Sequence, residues 1–300
     1  MSDIALRFHK DVLVLSSPVA NALERLGVDA EHDLAFTLLF EADTVEEAYR
    51  LEALGGAQVL VAPTAKMTPA QLAQAGMEGQ GAELARAALE ALAAFKPQHV
   101  LVELAPCGLP LDPDSKASLV EHRDQYARAA RFFDGLEFDG FLLNGFEDCT
   151  ALKCALMGLA KASDAPVFAS VAVNADGKLT GARAAAAAET LEDAMRMAAD
   201  LGAAVVGFET SAPADDAAKL CARACAAGSV VLPVLVQLRI QPDGPYADPD
   251  ALADAALALC AAGAQFLRAT GAARAADAGV LAATTAGLDV ARQLVEAEGE

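Results

Sequence analysis

The stretch 263–272 reads GAQFLRATGA. It opens on a small-residue turn at Gly263 and Ala264, passes through an apolar strand core at Phe266 and Leu267, and ends on Arg268, Thr270 and Gly271 before an alanine-rich helix. It reads as the last strand of a ring. In parallel α/β folds ligands bind beyond the carboxyl ends of the strands, so the residues at this tip bear on function.

Seven more apolar runs precede it, each followed by a segment of helical period. The expected strands lie near 12–16, 58–62, 99–105, 140–146, 167–173, 204–210, 230–237 and 265–270. Strands alternating with helices signal βα units and a parallel sheet. At 300 residues the chain matches a single (β/α)8 barrel of typically ~250 residues with some extension, so one domain over 1–300 is expected. An open doubly wound sheet is the other arrangement of such units, but no GxGxxG follows any strand.

The helices carry starts and stops. Thr44 with Glu47 reads as a capping box before a helix ended by Gly55 and Gly56, and Thr68-Pro69 places a proline at a first helical position. Residues 81–95 form a helix with Pro97 just past it, and Thr190 with Asp193 opens another that stops at Gly202. Two stretches fall outside the count. Residues 31–41, containing LAFTLLFE, read as a strand-like loop or short hairpin, and residues 174–189 as a turn leading into a helix.

Composition narrows the function. The formal net charge is −20, from 22 Lys and Arg against 42 Asp and Glu, which argues against a nucleic-acid partner. The acid excess reads first as a solvated surface; its other use is a docking face for a basic protein partner. No apolar run approaches the ~20 residues of a membrane span, and the N-terminus MSDIALRFHKDV does not resemble a signal peptide. A cytoplasmic location is expected. The six cysteines (107, 149, 154, 221, 225 and 260) fit reduced thiols.

The strand ends then supply the candidate site. In order they offer Ser16 and Ser17; Pro63, Thr64 and Lys66; Glu103 and Cys107; Asn144, Glu147 and Asp148; Ser170; Glu209 and Thr210; Gln237 and Arg239; and Arg268 and Thr270. Glu209, Arg239 and Arg268 end three successive strands. Two guanidinium groups beside a carboxylate suit a small anionic ligand held by paired hydrogen bonds, and equally suit an internal salt-bridge cluster. Asn144, Asp148 and Glu209 are the catalytic candidates; Arg239, Arg268, Thr210, Thr270 and Glu103 are the ligand-binding ones. Cys221 and Cys225 share one helix face but lack further ligands nearby and read as core. Cys149 stands where a helix N-terminus could lower its pKa. None of the four histidines ends a strand: His99 begins one, and His9, His32 and His122 read as surface positions.

The order of segments resembles the homocysteine S-methyltransferase family, the barrel that also forms the amino-terminal module of cobalamin-dependent methionine synthase. LEALGGAQVLVAPTAKM (51–67), DGFLLNGFEDCTALKCAL (139–156), LGAAVVGFET (201–210), VLPVLVQLRIQPDG (231–244) and GAQFLRATGA look like successive family segments. Gly202, Gly207, Gly263, Asp139, Lys153 and Pro166–Val167 match its framework. The resemblance implies a zinc ion held by three cysteines, one ending the sixth strand and two ending the eighth. Here those positions are Thr210, Thr270 and Gly271. Zinc activates a thiol by stabilising its thiolate, and a neutral hydroxyl is a poor replacement for three soft ligands. The family glutamate ending the fourth strand is Asn144, and its first-strand motif reads LSSPVA (15–20).

The expectation is therefore a homocysteine S-methyltransferase-like barrel whose zinc and thiol-activating site is lost, with no metal or other cofactor, binding a small anionic molecule at the carboxyl-terminal mouth. Two further readings stand beside it. One is an active methyltransferase with a rearranged site, and the other a catalytically silent subunit or regulator of a methyltransferase or corrinoid system. A harder ion held by Glu103, Asp148 and Glu209 is also open.

Overall fold

A computed structural model describes residues 3–227 and 231–290. Eight parallel strands pair in sequence order and close: β1 (Leu13–Leu15), β2 (Val59–Ala62), β3 (His99–Leu104), β4 (Gly140–Phe146), β5 (Val167–Ala172), β6 (Val205–Thr210), β7 (Val234–Ile240) and β8 (Ala264–Gly271). The first and last strands make the seam, with Leu13 opposite Phe266 and Leu15 opposite Arg268. The seventh strand starts later than the expected 230, a residue outside the described ones. Pro233 precedes it and, lacking an N–H, cannot donate to the ladder.

Around the barrel run α1 (Ala20–Arg25), α2 (Leu34–Phe40), α3 (Ala42–Leu54), α4 (Pro69–Gln74), α5 (Gly81–Ala93), α6 (Lys116–Arg131), α7 (Cys149–Leu159), α8 (Ala182–Ala187), α9 (Leu191–Asp200), α10 (Ala214–Ala226), α11 (Pro249–Ala261) and α12 (Ala275–Thr285). The stretch expected as a loop or hairpin is the helix α2. It buries Thr37 and Leu38 and leaves Phe36 and Phe40 exposed, their rings tilted against each other with centroids 4.8 Å apart. The expected Thr44–Glu47 capping box lies inside α3, which begins at Ala42. Pro69 does open α4, with Thr68 as its cap, and the box at Thr190 caps α9. The 174–189 segment is a turn with isolated antiparallel bridges that leads into α8, as its sequence suggests.

Side chains alternate across each strand, so two separate apolar clusters form. One set, including Val14, Leu60, Val102, Leu143, Val206 and Leu267, packs outward under the helices. The other fills the barrel: Leu13, Leu15, Val59, Val61, Leu101, Leu142, Phe168, Val205, Leu235 and Phe266. Its amino-terminal end is closed by the chain itself. A single 3-10 turn, Ile4–Arg7, drives Ile4 into this cluster, and Phe8 packs edge-on against Phe168 and Phe266. Gln265 pins that plug by donating to the Arg7 and Asp11 carbonyls and accepting from the His9 N–H. Among the described residues no helix is long and apolar enough to cross a membrane.

Candidate active site

Above the apolar filling, the inward positions of the strands turn polar. Arg268 on β8 is 1% exposed, yet every side of its guanidinium is occupied. Nε donates to the Ser16 carbonyl at 3.0 Å, Nη2 to Glu103 Oε2 at 3.0 Å, and Nη1 to Glu103 Oε1 and Gln237 Oε1, both at 3.3 Å. Asn144 Nδ2 donates to Glu103 Oε1 at 2.8 Å, while Gln237 Nε2 donates to Asn144 Oδ1 at 2.7 Å and to Ser170 Oγ at 2.8 Å. Arg268, Glu103, Asn144 and Gln237 thus make a closed ring of side chains across the barrel, with charges balanced and donors met by acceptors. A buried charge that is paired and hydrogen-bonded in this way carries little penalty, whereas either partner alone carries a large one.

Each candidate residue has a definite place. Arg268 does not join Glu209 and Arg239; it reaches across the barrel to Glu103, so the expected pair of guanidinium groups around one carboxylate does not form. One turn of layers nearer the mouth, Glu209 Oε1 accepts from Thr270 Oγ1 at 2.6 Å and faces Arg239 Nη1 at 3.7 Å. Arg239 is the open member, its side chain 55% exposed. Thr210 follows the inward Glu209, so it points toward the helix layer, where its hydroxyl accepts the Ala212 N–H at 3.1 Å. Asp148 is also outside the ring. It caps α7 through the Ala151 N–H at 2.8 Å and pairs with Arg183 at 2.9 Å, which makes it a scaffold residue. Gly145, at φ +76, breaks the register of β4 against β5 beside the mouth.

Other expectations meet the physical environment. Burial pushes the Cys149 thiol up to about 12, and Glu189 adds to the shift; the same carboxylate takes the Cys149 N–H at 2.8 Å. The helix N-terminus therefore does not activate this thiol. His122 is buried, not on the surface, with Nδ1 2.9 Å from the Ser118 carbonyl and Nε2 3.1 Å from the Leu109 carbonyl. Cys221 is buried under α11, as a core residue should be. Beneath the mouth Glu52 is fully enclosed; burial raises its pKa, against hydrogen bonds from the Ser17 N–H and hydroxyl at 3.0 and 2.6 Å.

The positions where the resemblance expects thiolates hold an outward hydroxyl (Thr210), a hydroxyl already donating to Glu209 (Thr270) and a glycine at φ +65 (Gly271). Such a donor set does not fit a thiolate-held zinc ion. Among the described residues the one group of three His, Cys, Asp or Glu ligand atoms lying within 4.8 Å of one another is at the other end of the barrel. Sequence reasoning found the polar strand ends but missed the ring, which joins residues 165 apart in the chain.

No family model and no curated protein matches the chain. Solved structures do. The homocysteine methyltransferase MmuM from Escherichia coli superposes with a TM-score of 0.75 in its oxidized form and 0.73 in its metallated form, at 17% identity, covering 91% of this chain and 96% of that one. A pyruvate carboxylase from Rhizobium etli gives 0.52 at 15% identity, over 87% of this chain and 23% of that one. Element order, barrel closure and coverage agree, and the chain has the (β/α)8 barrel fold of homocysteine methyltransferase MmuM.

Proposed function

We propose that the mouth binds a small amino-acid-like zwitterion of the homocysteine kind, and that it does so without a thiolate-held zinc ion. The observation that carries this is the pair Glu209 and Arg239, set above a ring whose own polar groups are already satisfied. The Glu209 carboxylate would take an ammonium group, and the exposed Arg239 offers its planar fork to a carboxylate. The ring below is the floor: it holds Asn144 and Glu103 in place and contributes no free charge. Methyl transfer to a thiol, the activity named for the structural neighbour, needs a thiolate, and Thr210, Thr270 and Gly271 supply nothing that stabilises one.

Internal pairing of Arg268 favours a second reading, a noncatalytic subunit or regulator that retains ligand binding, or only the fold, and meets a protein partner through its acidic surface. Titration calorimetry with L-homocysteine and L-methionine separates the two. Under the first reading both amino acids bind, and Arg239→Ala weakens them by about ten- to a hundredfold, the loss of one charge-assisted hydrogen-bonded pair at ~1.5–3 kcal/mol. Equal affinity in Arg239→Ala, or no heat from either amino acid, sinks it.

A further inference from the structure

We infer that Asp3, His99 and Asp139 form a site for one divalent transition-metal ion at the plugged, amino-terminal end of the barrel. His99 opens β3 and is 3% exposed, yet neither ring nitrogen makes a hydrogen bond of ordinary direction among the described residues. Its Nδ1 lies 2.8 Å from Asp3 Oδ1 and 3.7 Å from Asp139 Oδ1. Bonds of ~2.0–2.2 Å to a tetrahedral ion separate neighbouring ligand atoms by about 3.3–3.6 Å, and the observed spacings bracket that range. An imidazole nitrogen this deeply buried is costly to leave without a partner in line with it.

Asp139 is tied into the sheet. Asp139 sits at the foot of β4, its Oδ2 accepting the Val100 N–H at 2.8 Å and its own N–H donating to the Val100 carbonyl at 2.8 Å, which leaves Oδ1 on the His99 side. Asp3 comes from the plug and its side chain is 65% exposed, so the site has an entry path and room for water as a further ligand. Two carboxylate oxygens and one imidazole nitrogen converge there, all within 4.8 Å of one another. One nitrogen and two oxygens without sulfur suit zinc, cobalt or manganese better than a soft monovalent ion, and the imidazole distinguishes the set from the all-oxygen cages of calcium and magnesium. Because Asp3 directly precedes the turn that inserts Ile4, a bound ion fastens the plug to the feet of β3 and β4.

The test uses the full chain stripped with a chelator and titrated with zinc or cobalt alone. The expected result is one ion per chain, a higher melting temperature with the ion present, and about tenfold or more weaker binding in Asp3→Asn, with the metal-free melting temperature unchanged because the substituted side chain is exposed. Absence of binding overturns the inference. So does full-affinity binding by Asp3→Asn, or loss of binding in Glu209→Gln instead, which would place the ion at the mouth.

Discussion

Arg268 and Glu103 depend on each other more than either depends on the mouth. Arg268→Met leaves a carboxylate beneath the mouth without its main partner, and the expected cost is about 3–5 kcal/mol, read as a lower urea midpoint. Glu52 gives a pH signature of opposite sense to a salt-bridged acid, whose folded pKa is lowered. Its folded pKa is raised by burial, so the folded chain holds its proton more tightly than the unfolded one. That contribution to stability is present below the ordinary carboxyl value of 4.5 and is lost as pH rises through the raised value. Urea midpoints of the parent should fall over that interval, and Glu52→Gln should flatten the fall; parallel curves would refute the assignment. The identity of the polar strand ends was legible in the sequence, but their pairing was not. Whether Arg268 meets Glu209 or Glu103 is set by strand tilt and stagger, which no local pattern records.

At the scale of elements the sequence spoke through period and punctuation, and it misled where those were absent. The strands were legible because parallel strands are uniformly apolar and bounded by turns. LAFTLLF is apolar nearly throughout, so period could not separate helix from strand, and only packing against α3 and α5 decides for α2. The contact of α6 with α7 rests on Gly158, where an added Cβ would lie 2.2 Å from the Arg123 carbonyl and 2.8 Å from Tyr126 Cβ. Gly158→Ala should therefore push the two helices apart and cost about 1–3 kcal/mol, seen as a lower melting temperature. At the start of α7, Cys149 is expected to resist alkylation at neutral pH, since its thiol sits near 12. Mass spectrometry after brief iodoacetamide treatment checks this. Prompt modification there would mean that Glu189 does not face the sulfur.

The molecule as a whole combines a net charge of −20 with a barrel plugged at one end and polar at the other. Self-repulsion of that size opposes compaction, so moderate salt should raise the melting temperature by screening it, more than in a barrel of balanced charge. Ile4→Ala should cost about 2–5 kcal/mol, because the plug seals the filling that all eight strands share. The ring of Arg268, Glu103, Asn144 and Gln237 has one more consequence. It divides the interior into two compartments that can change independently. Residues above it, such as Glu209, Arg239 and Thr270, can be exchanged without reopening the filling below, because no hydrogen bond of the ring itself depends on them. A lineage, or a designer, can therefore rewrite the chemistry at the mouth while the scaffold stays the same, and a chain of this fold can lose one catalytic outfit and acquire another without passing through an unfolded ancestor.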